Sequence, residues 1–313
     1  MNRLPIILLY GQVADDAHPK QQKMIDGSCT CGYREFAENA GKIIYLRPQS
    51  NLIQDWEVCL NAKQVENLLN NNPDAIVWSV KKCDKKDKIL RNCDNFSFYY
   101  SCVNRKHYNS SADISLVDTT DRIKNDKCIL HLKGKDPNYW LPSKEKKYDY
   151  VLMGDKKQKN QRFVINQMTE NVKNKRSILW IGGNKSGINK SHHDITIFGK
   201  AGPNKIKELL PQAKIGILYT EYLGEGFPQT FLEMTMCGVP VVYPSRAPMN
   251  EFYKSDKNCL FVKKKNNIWR KSEDCLFEYT SKMAKECRDF AASNYSISCA
   301  IDRMHKMREK YGK

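Results

Sequence analysis

The sequence predicts an α/β chain built as two doubly wound halves with a helical tail. Three observations predict it. Apolar runs of strand length alternate with longer amphipathic stretches, the arrangement of a parallel sheet covered by helices on both faces. That alternation stops at a Gly- and Pro-punctuated segment, 133–142, and then starts again. The 313 residues exceed one ordinary core and suit two, and 41% hydrophobic residues supply enough apolar surface for both.

In the first half the strand candidates are 6–10 (IILLY), 43–47 (IIYLR), 75–80 (AIVWSV), 97–103 (SFYYSCV) and 113–117 (DISLV). Helical patterns at 33–40, 62–71 and 81–92 lie between them. The stretch 12–31 carries Asp15, Asp16, His18 and Pro19 and reads as a long loop after the first strand. Ligands of such sheets bind beyond the carboxyl ends of the strands, so this loop is placed to touch one.

The second half opens with a strand at 150–154 and a helix at 160–174, followed by strands at 177–182 and 194–198. A helix at 204–212, a strand at 214–219, a helix at 229–237 and a strand at 239–243 complete it. Two amphipathic helices, 273–292 and 297–311, end the chain. The domain boundaries expected are 1–140, 141–292 and 293–313.

The net charge of +17, from 52 Lys and Arg against 35 Asp and Glu, favours anionic or phosphate-bearing partners. The excess is spread along the chain in short runs such as Lys263-Lys264-Lys265, each of which also serves as a solvated face. The 12 cysteines are scattered without a C-x-x-C pair, which argues against structural zinc and for a reducing compartment. The apolar run at the N-terminus is too short for a signal-peptide core or a span, and no run of 18 apolar residues occurs. The expectation is a cytoplasmic protein, at most peripheral to a membrane.

The chemistry concentrates in Glu225-Gly226-Phe227-Pro228-Gln229-Thr230-Phe231-Leu232-Glu233 and the following Cys237-Gly238-Val239-Pro240-Val241-Val242. Pro228 suits the first helical position and Gly238 the stop. The helix between them is mostly apolar, so Glu233 should be buried. A buried carboxylate without a partner costs roughly several kcal/mol. A sugar diol offers two hydroxyl donors to such a group, and a core Lys is the alternative partner. Glu225 lies in a glycine-bearing loop after a strand, where backbone N–H groups at a helix start can meet a ligand.

This motif resembles the nucleotide-sugar motif of the retaining glycosyltransferases of family four, which have the GT-B fold of two Rossmann-like domains around an interdomain cleft. Further stretches resemble the same family. They are the linker Gly134-Lys135-Asp136, the approach Ala213-Lys214-Ile215-Gly216, the segment from Asn250-Glu251-Phe252 to Asn258–Val262, and Asn294-Tyr295-Ser296 before the last helix. The family's last helix crosses back to the first domain. The first half matches in strand–helix order only.

The resemblance implies roles. Glu233 would bind the donor ribose hydroxyls. Glu225, Gly226 and Phe227 would hold the donor sugar. Lys156, Lys159 and Lys200 would contact the nucleotide or its diphosphate, with Lys159 in the place of the family lysine. Asp155 stands where the family has an arginine. The family histidine of the first domain has two candidates here, His18 and His107. His192-His193 reads as a loop with poor spacing for a metal.

The expected activity is transfer of a sugar from a UDP- or GDP-sugar, with retention of configuration and no metal or other cofactor. The acceptor stays open among glycans, lipid-linked compounds and small molecules. Two alternatives stay open as well: a glucosyltransferase acting on modified DNA, which the charge would suit, and a catalytically silent nucleotide-sugar-binding protein.

Overall fold

The computed structural model describes residues 5–10, 61–80, 84–100, 112–117, 123, 126–130, 134–154, 160–184, 186–188, 190–199, 201–220, 227–245, 249, 253, 259–262 and 279–312. The strand expected at 43–47, the helix at 33–40 and the loop at 12–31 lie outside these residues. The chain divides into two compact units, Met1–Gly134 with Ile297–Lys313, and Lys135–Ser296. The division falls at Gly134/Lys135 rather than at 140. Lys135 already pairs with unit 2, since its N–H donates to Tyr295 O at 3.0 Å and it forms a parallel bridge with Ser296.

Unit 1 holds a parallel sheet of β1 (Ile6–Tyr10), β2 (Ile76–Val80), β3 (Ser97–Tyr100), β4 (Ile114–Val117) and β5 (Cys128–Leu130), in that spatial order. Its strands are apolar at nearly every position because both faces are covered. Ile6 and Leu8 pack with Ile76, Trp78 and Val80 against α7 (Ile297–Tyr311), through Ile297, Ala300, Ile301 and Met304. Ile7 and Leu9, one residue out of phase, pack against Val65 and Leu69 of α1 (Ala62–Asn70) and Ile89 and Leu90 of α2 (Asp84–Asn92). A capping box starts α1: Asn61 Oδ1 accepts from Gln64 N–H, and Gln64 Oε1 accepts from Asn61 N–H, each at 2.9 Å. The three-residue β5 is too short for an apolar run to announce it.

Unit 2 holds a six-stranded parallel sheet in the order β11-β10-β9-β6-β7-β8. Its strands are β6 (Tyr148–Met153), β7 (Ser177–Ile181), β8 (Asp194–Phe198), β9 (Ala213–Ile217), β10 (Val241–Pro244) and β11 (Cys259–Val262). From β6 the chain builds outward through β7 and β8. It then returns to β9, beside β6 on the other side, and builds outward through β10 and β11. The strand order therefore reverses between β6 and β9, which makes their carboxyl ends the topological switch point of the sheet.

The helices of unit 2 are α3 (Gln161–Asn171), α4 (Pro203–Leu209), α5 (Gln229–Met236) and α6 (Ser281–Tyr295). The helix expected over 204–212 divides, because Pro211 cannot donate to the ladder, and Leu210–Gln212 form a 3-10 turn. The helix expected from 273 is not yet helical at Tyr279; Thr280 caps α6, its hydroxyl oxygen accepting from Met283 N–H. Val164, Ile165 and Met168 of α3 pack on Tyr150, Leu152, Ile178 and Trp180. Among the described residues no helix is long and apolar enough to cross a membrane.

Candidate functional site at the switch point of unit 2

Two chain segments leave the switch point. After β6 come Gly154, residues 155–159 and the start of α3. After β9 come Leu218–Thr220, residues 221–226 and the start of α5. Most of the residues singled out from the sequence belong to these segments, but only Phe227 and Glu233 fall within the described residues. Glu225, Gly226, Lys156, Lys159, Lys200 and Asp155 lie outside them, as do His18 and His107.

α5 is as buried as its composition requires: Phe231, Leu232, Met234 and Met236 have no more than trace exposure. Pro228 is the N-cap rather than the first helical residue, with extended ψ of 124°, and Gln229 opens the helix. Gly238 ends it at φ +66°, the left-handed setting that a side chain would strain. The helix lies close on β9, where Gly216 leaves room for the Met234 thioether. Phe231 meets Tyr243 and Tyr253 edge-on, with ring centroids 5.5 and 4.8 Å apart. Burial raises the Tyr253 hydroxyl well above its ordinary pKa, and Thr235 Oγ1 lies 3.3 Å from it. Arg288 of α6 donates to Met236 O, one of the carbonyls that the helix end leaves unpaired, and to Trp140 O and Pro137 O.

Glu233 is 7% exposed, as expected, but its partner is not one that a ligand must supply. Lys135 Nζ donates to Glu233 Oε1 at 2.7 Å, and the lysine is itself 2% exposed. Of the two partners that the sequence left open for the buried carboxylate, a sugar diol and a core lysine, the lysine is the one present. Lys135 was legible only as a linker residue. The signal that could have found it is the charge of Glu233, which requires a cation that the apolar helix cannot provide.

Phe227, 8% exposed, packs on Tyr295 at 5.5 Å between centroids. Tyr295 stacks on Tyr253 and accepts the Lys135 N–H through its carbonyl. The residue that begins the motif helix region and the one that pairs with Glu233 thus share one aromatic support at the end of α6.

Both helix starts at the switch point hold unpaired polar atoms. Among the described residues, Asn160 Nδ2, Gln161 Oε1 and Gln229 Oε1 are buried without a hydrogen-bond partner. Such orphans cost free energy unless something meets them. Asn160, just before α3, adopts φ +53°, and its side chain does not cap the helix. Gln161 Nε2 is held by Met153 O at the end of β6, which fixes where its oxygen sits. The approach of β7 is close too: Trp180 Nε1 donates to Gly154 O at 2.9 Å, and Gly154 N–H donates to Ile181 O. These three amide groups had no signal in the sequence, since Asn and Gln near helix starts are common.

His192 and His193 play another part. His193 Nδ1 accepts from Arg176 N–H at 3.2 Å, and its Nε2 faces Met168 O at 3.4 Å. His192 Nε2 lies 2.9 Å from Val172 O. The pair braces the carboxyl end of α3, where carbonyls are left over. Among the described residues, no group of three or more His, Cys, Asp or Glu side chains comes together that could hold a metal ion.

Residues 148–272 match the family model described as glycosyl transferases group 1. No curated protein sequence matches the chain. Solved structures similar to it include a glycosyltransferase from Rickettsia africae ESF-5, 13% identical, with TM-score 0.66 over 100% of both chains. HepE from Anabaena in complex with UDP is 10% identical, with TM-score 0.63 over 98% of this chain and 100% of that one. An α-glucosyltransferase in complex with UDP and a 13-mer DNA containing an A:G mismatch is 11% identical, with TM-score 0.63 over 98% and 99%. With its two parallel-sheet units, the chain has the fold of the GT-B glycosyltransferases, and its residues 148–272 are similar to the group 1 glycosyltransferase domain.

Proposed function

We propose that this protein transfers a sugar from a nucleoside-diphosphate sugar, a UDP- or GDP-sugar, to an acceptor hydroxyl with retention of configuration. The observation that carries the reading is the pair of helix starts at the switch point of unit 2, each with buried, unpaired amide atoms, on a group 1 glycosyltransferase domain. In this reading Glu233 binds the ribose hydroxyls and Glu225, Gly226 and Phe227 hold the donor sugar. Lys156, Lys159 and Lys200 face the nucleotide and its diphosphate.

Charge sets the rest of the mechanism. The leaving nucleoside diphosphate gains negative charge as the glycosidic bond breaks, and fixed cations and N–H dipoles stabilise that charge without reorganising. Lys156, Lys159 and the N–H groups that open α3 supply them, so the proposed reaction needs no metal. Attack from the face that the leaving group departs lets the phosphate accept the acceptor's proton. A histidine at His18 or His107 then serves the sugar rather than the proton.

Similar structures bound to UDP support a uridine donor. The deciding experiment is a thermal-shift and hydrolysis screen of UDP-, GDP-, ADP- and CMP-sugars, run with and without chelator. One donor should raise the melting temperature and be hydrolysed slowly, with or without chelator, and Glu225→Ala should abolish the hydrolysis. Failure of every nucleotide sugar to stabilise the protein would sink the reading. Binding without turnover would leave a nucleotide-sugar-binding protein.

A second reading concerns the acceptor. The +17 charge, together with a similar glucosyltransferase structure that contains DNA, favours modified DNA over a neutral glycan. Transfer to DNA carrying a hydroxymethylated base, with strong loss at rising salt, would support it. Salt-independent transfer to a free sugar would exclude it.

A further inference from the structure

We infer that Lys135 is a positioning residue for Glu233 and, through it, makes the donor site selective for ribonucleotides over 2′-deoxyribonucleotides. The inference rests on the reading of Glu233 as the ribose-binding carboxylate.

The geometry leaves Lys135 little freedom. Its N–H donates to Tyr295 O at 3.0 Å, and its backbone pairs with Ser296. Its ammonium lies 5.1 Å from the centroid of the Trp140 ring and 2.7 Å from Glu233 Oε1. Both ends of the side chain are therefore anchored. Trp140 is held in turn by Arg288, which donates to its carbonyl at 2.7 Å. Glu233 is equally constrained at its backbone, since it lies inside α5 and its carbonyl accepts from Cys237 N–H at 3.1 Å.

A buried ion pair generally stabilises no more than an apolar pair of the same volume. What it does supply is direction. With Oε1 fixed on the ammonium, the plane of the carboxylate is set, and Oε2 is held at one angle. Vicinal hydroxyls are recognised through fixed acceptor directions, and a site built around a hydroxyl discriminates against the analogue that lacks it. Without Lys135, the Glu233 side chain is free to rotate about its terminal torsion, which has broad minima. The contact to the second hydroxyl is then lost on average, and with it the discrimination.

The test uses the full-length chain and measures the affinities of UDP, GDP and ADP beside their 2′-deoxy counterparts. The wild type should prefer the ribonucleotide by at least about tenfold, the scale of one hydrogen bond to a charged group. Lys135→Met should reduce that ratio to below about threefold, chiefly by weakening the ribonucleotide. Lys135→Arg should keep most of it. Should Lys135→Met fail to fold, Lys135→Gln, which keeps a donor and most of the volume, should fall at least about threefold short of the wild-type ratio.

A merely structural lysine would change melting temperature and overall affinity and leave the ratio alone. An unchanged ratio in a folded variant overturns the role of Lys135 and leaves the donor site standing. Equal wild-type affinity for both sugars overturns the inference at Glu233 itself. A wild type that binds no nucleoside diphosphate overturns the donor site and the inference together.

Discussion

Gly216 of β9 faces Met234 of α5 so closely that a Cβ on the glycine would fall 2.4 Å from the Met234 sulfur. The absence of a side chain on the strand is what lets the motif helix lie down on the sheet. Gly216→Ala should therefore destabilise unit 2 by about 1–3 kcal/mol, the cost of overpacking a core. Met234→Ala in the same background should recover part of it, because the thioether is the group that clashes. Urea denaturation of the two single variants and the double variant checks this.

The Lys135–Glu233 pair yields a stability cycle that does not depend on any ligand. Glu233→Leu removes the carboxylate that faces the buried ammonium and should cost about 3–5 kcal/mol. Lys135→Met in the same chain should return most of that loss, since two apolar side chains fill the space of the pair. A double variant as unstable as the sum of the two single ones would show that the two residues do not act as a pair. Chemical denaturation gives the three differences.

Arg288 joins the end of α5 to the linker carbonyls of Trp140 and Pro137. Arg288→Met removes the hydrogen bonds and keeps much of the aliphatic stem. A loss of about 1.5–3 kcal/mol is expected, the range for hydrogen bonds to charged groups. Amide hydrogen exchange should rise in 229–238 more than in α3, which distinguishes loosening of α5 from general destabilisation.

The His193 imidazole should make stability depend on pH. Burial holds its pKa below the ordinary value, aided by His192 and Arg176, against the opposing effect of Met168 O and Asp194. A depressed folded value means that the unfolded chain binds the proton first. The contribution of His193 is thus complete above the unfolded value of about 6.5 and is lost as the pH falls through the folded one. His193→Gln should flatten the fall in melting temperature between about pH 8 and about pH 5. An identical slope in both proteins would exclude His193 as a contributor.

Much of the fold was readable along the chain. Runs such as Ile6–Leu9 and Ile178–Ile181 are buried on both faces, so every position is apolar and the run stands out. The motif helix was readable from its stop, because only glycine takes φ +66° without strain. β5 was not among the predicted strands, because three residues are too few for a periodicity to show, and β11 was read only as part of the resembling segment Asn258–Val262. Tyr279 stands outside the tail helix because Thr280 takes the cap, a local hydrogen bond that overrides the amphipathic pattern before it.

By itself the sequence determined that two parallel-sheet α/β units occur and that Glu233 is buried within the helix 229–237. Composition and periodicity are enough for that, since burial follows from which residues repel water. Only the tertiary structure decided what Glu233 faces. Its partner, Lys135, is 98 positions away in the chain, and such a pairing depends on how β9, α5 and the end of α6 pack rather than on any local pattern. The same holds for the strand order of unit 2: the reversal between β6 and β9 that gathers Asn160, Gln161 and Gln229 at one end of the sheet is a property of connections, not of residues.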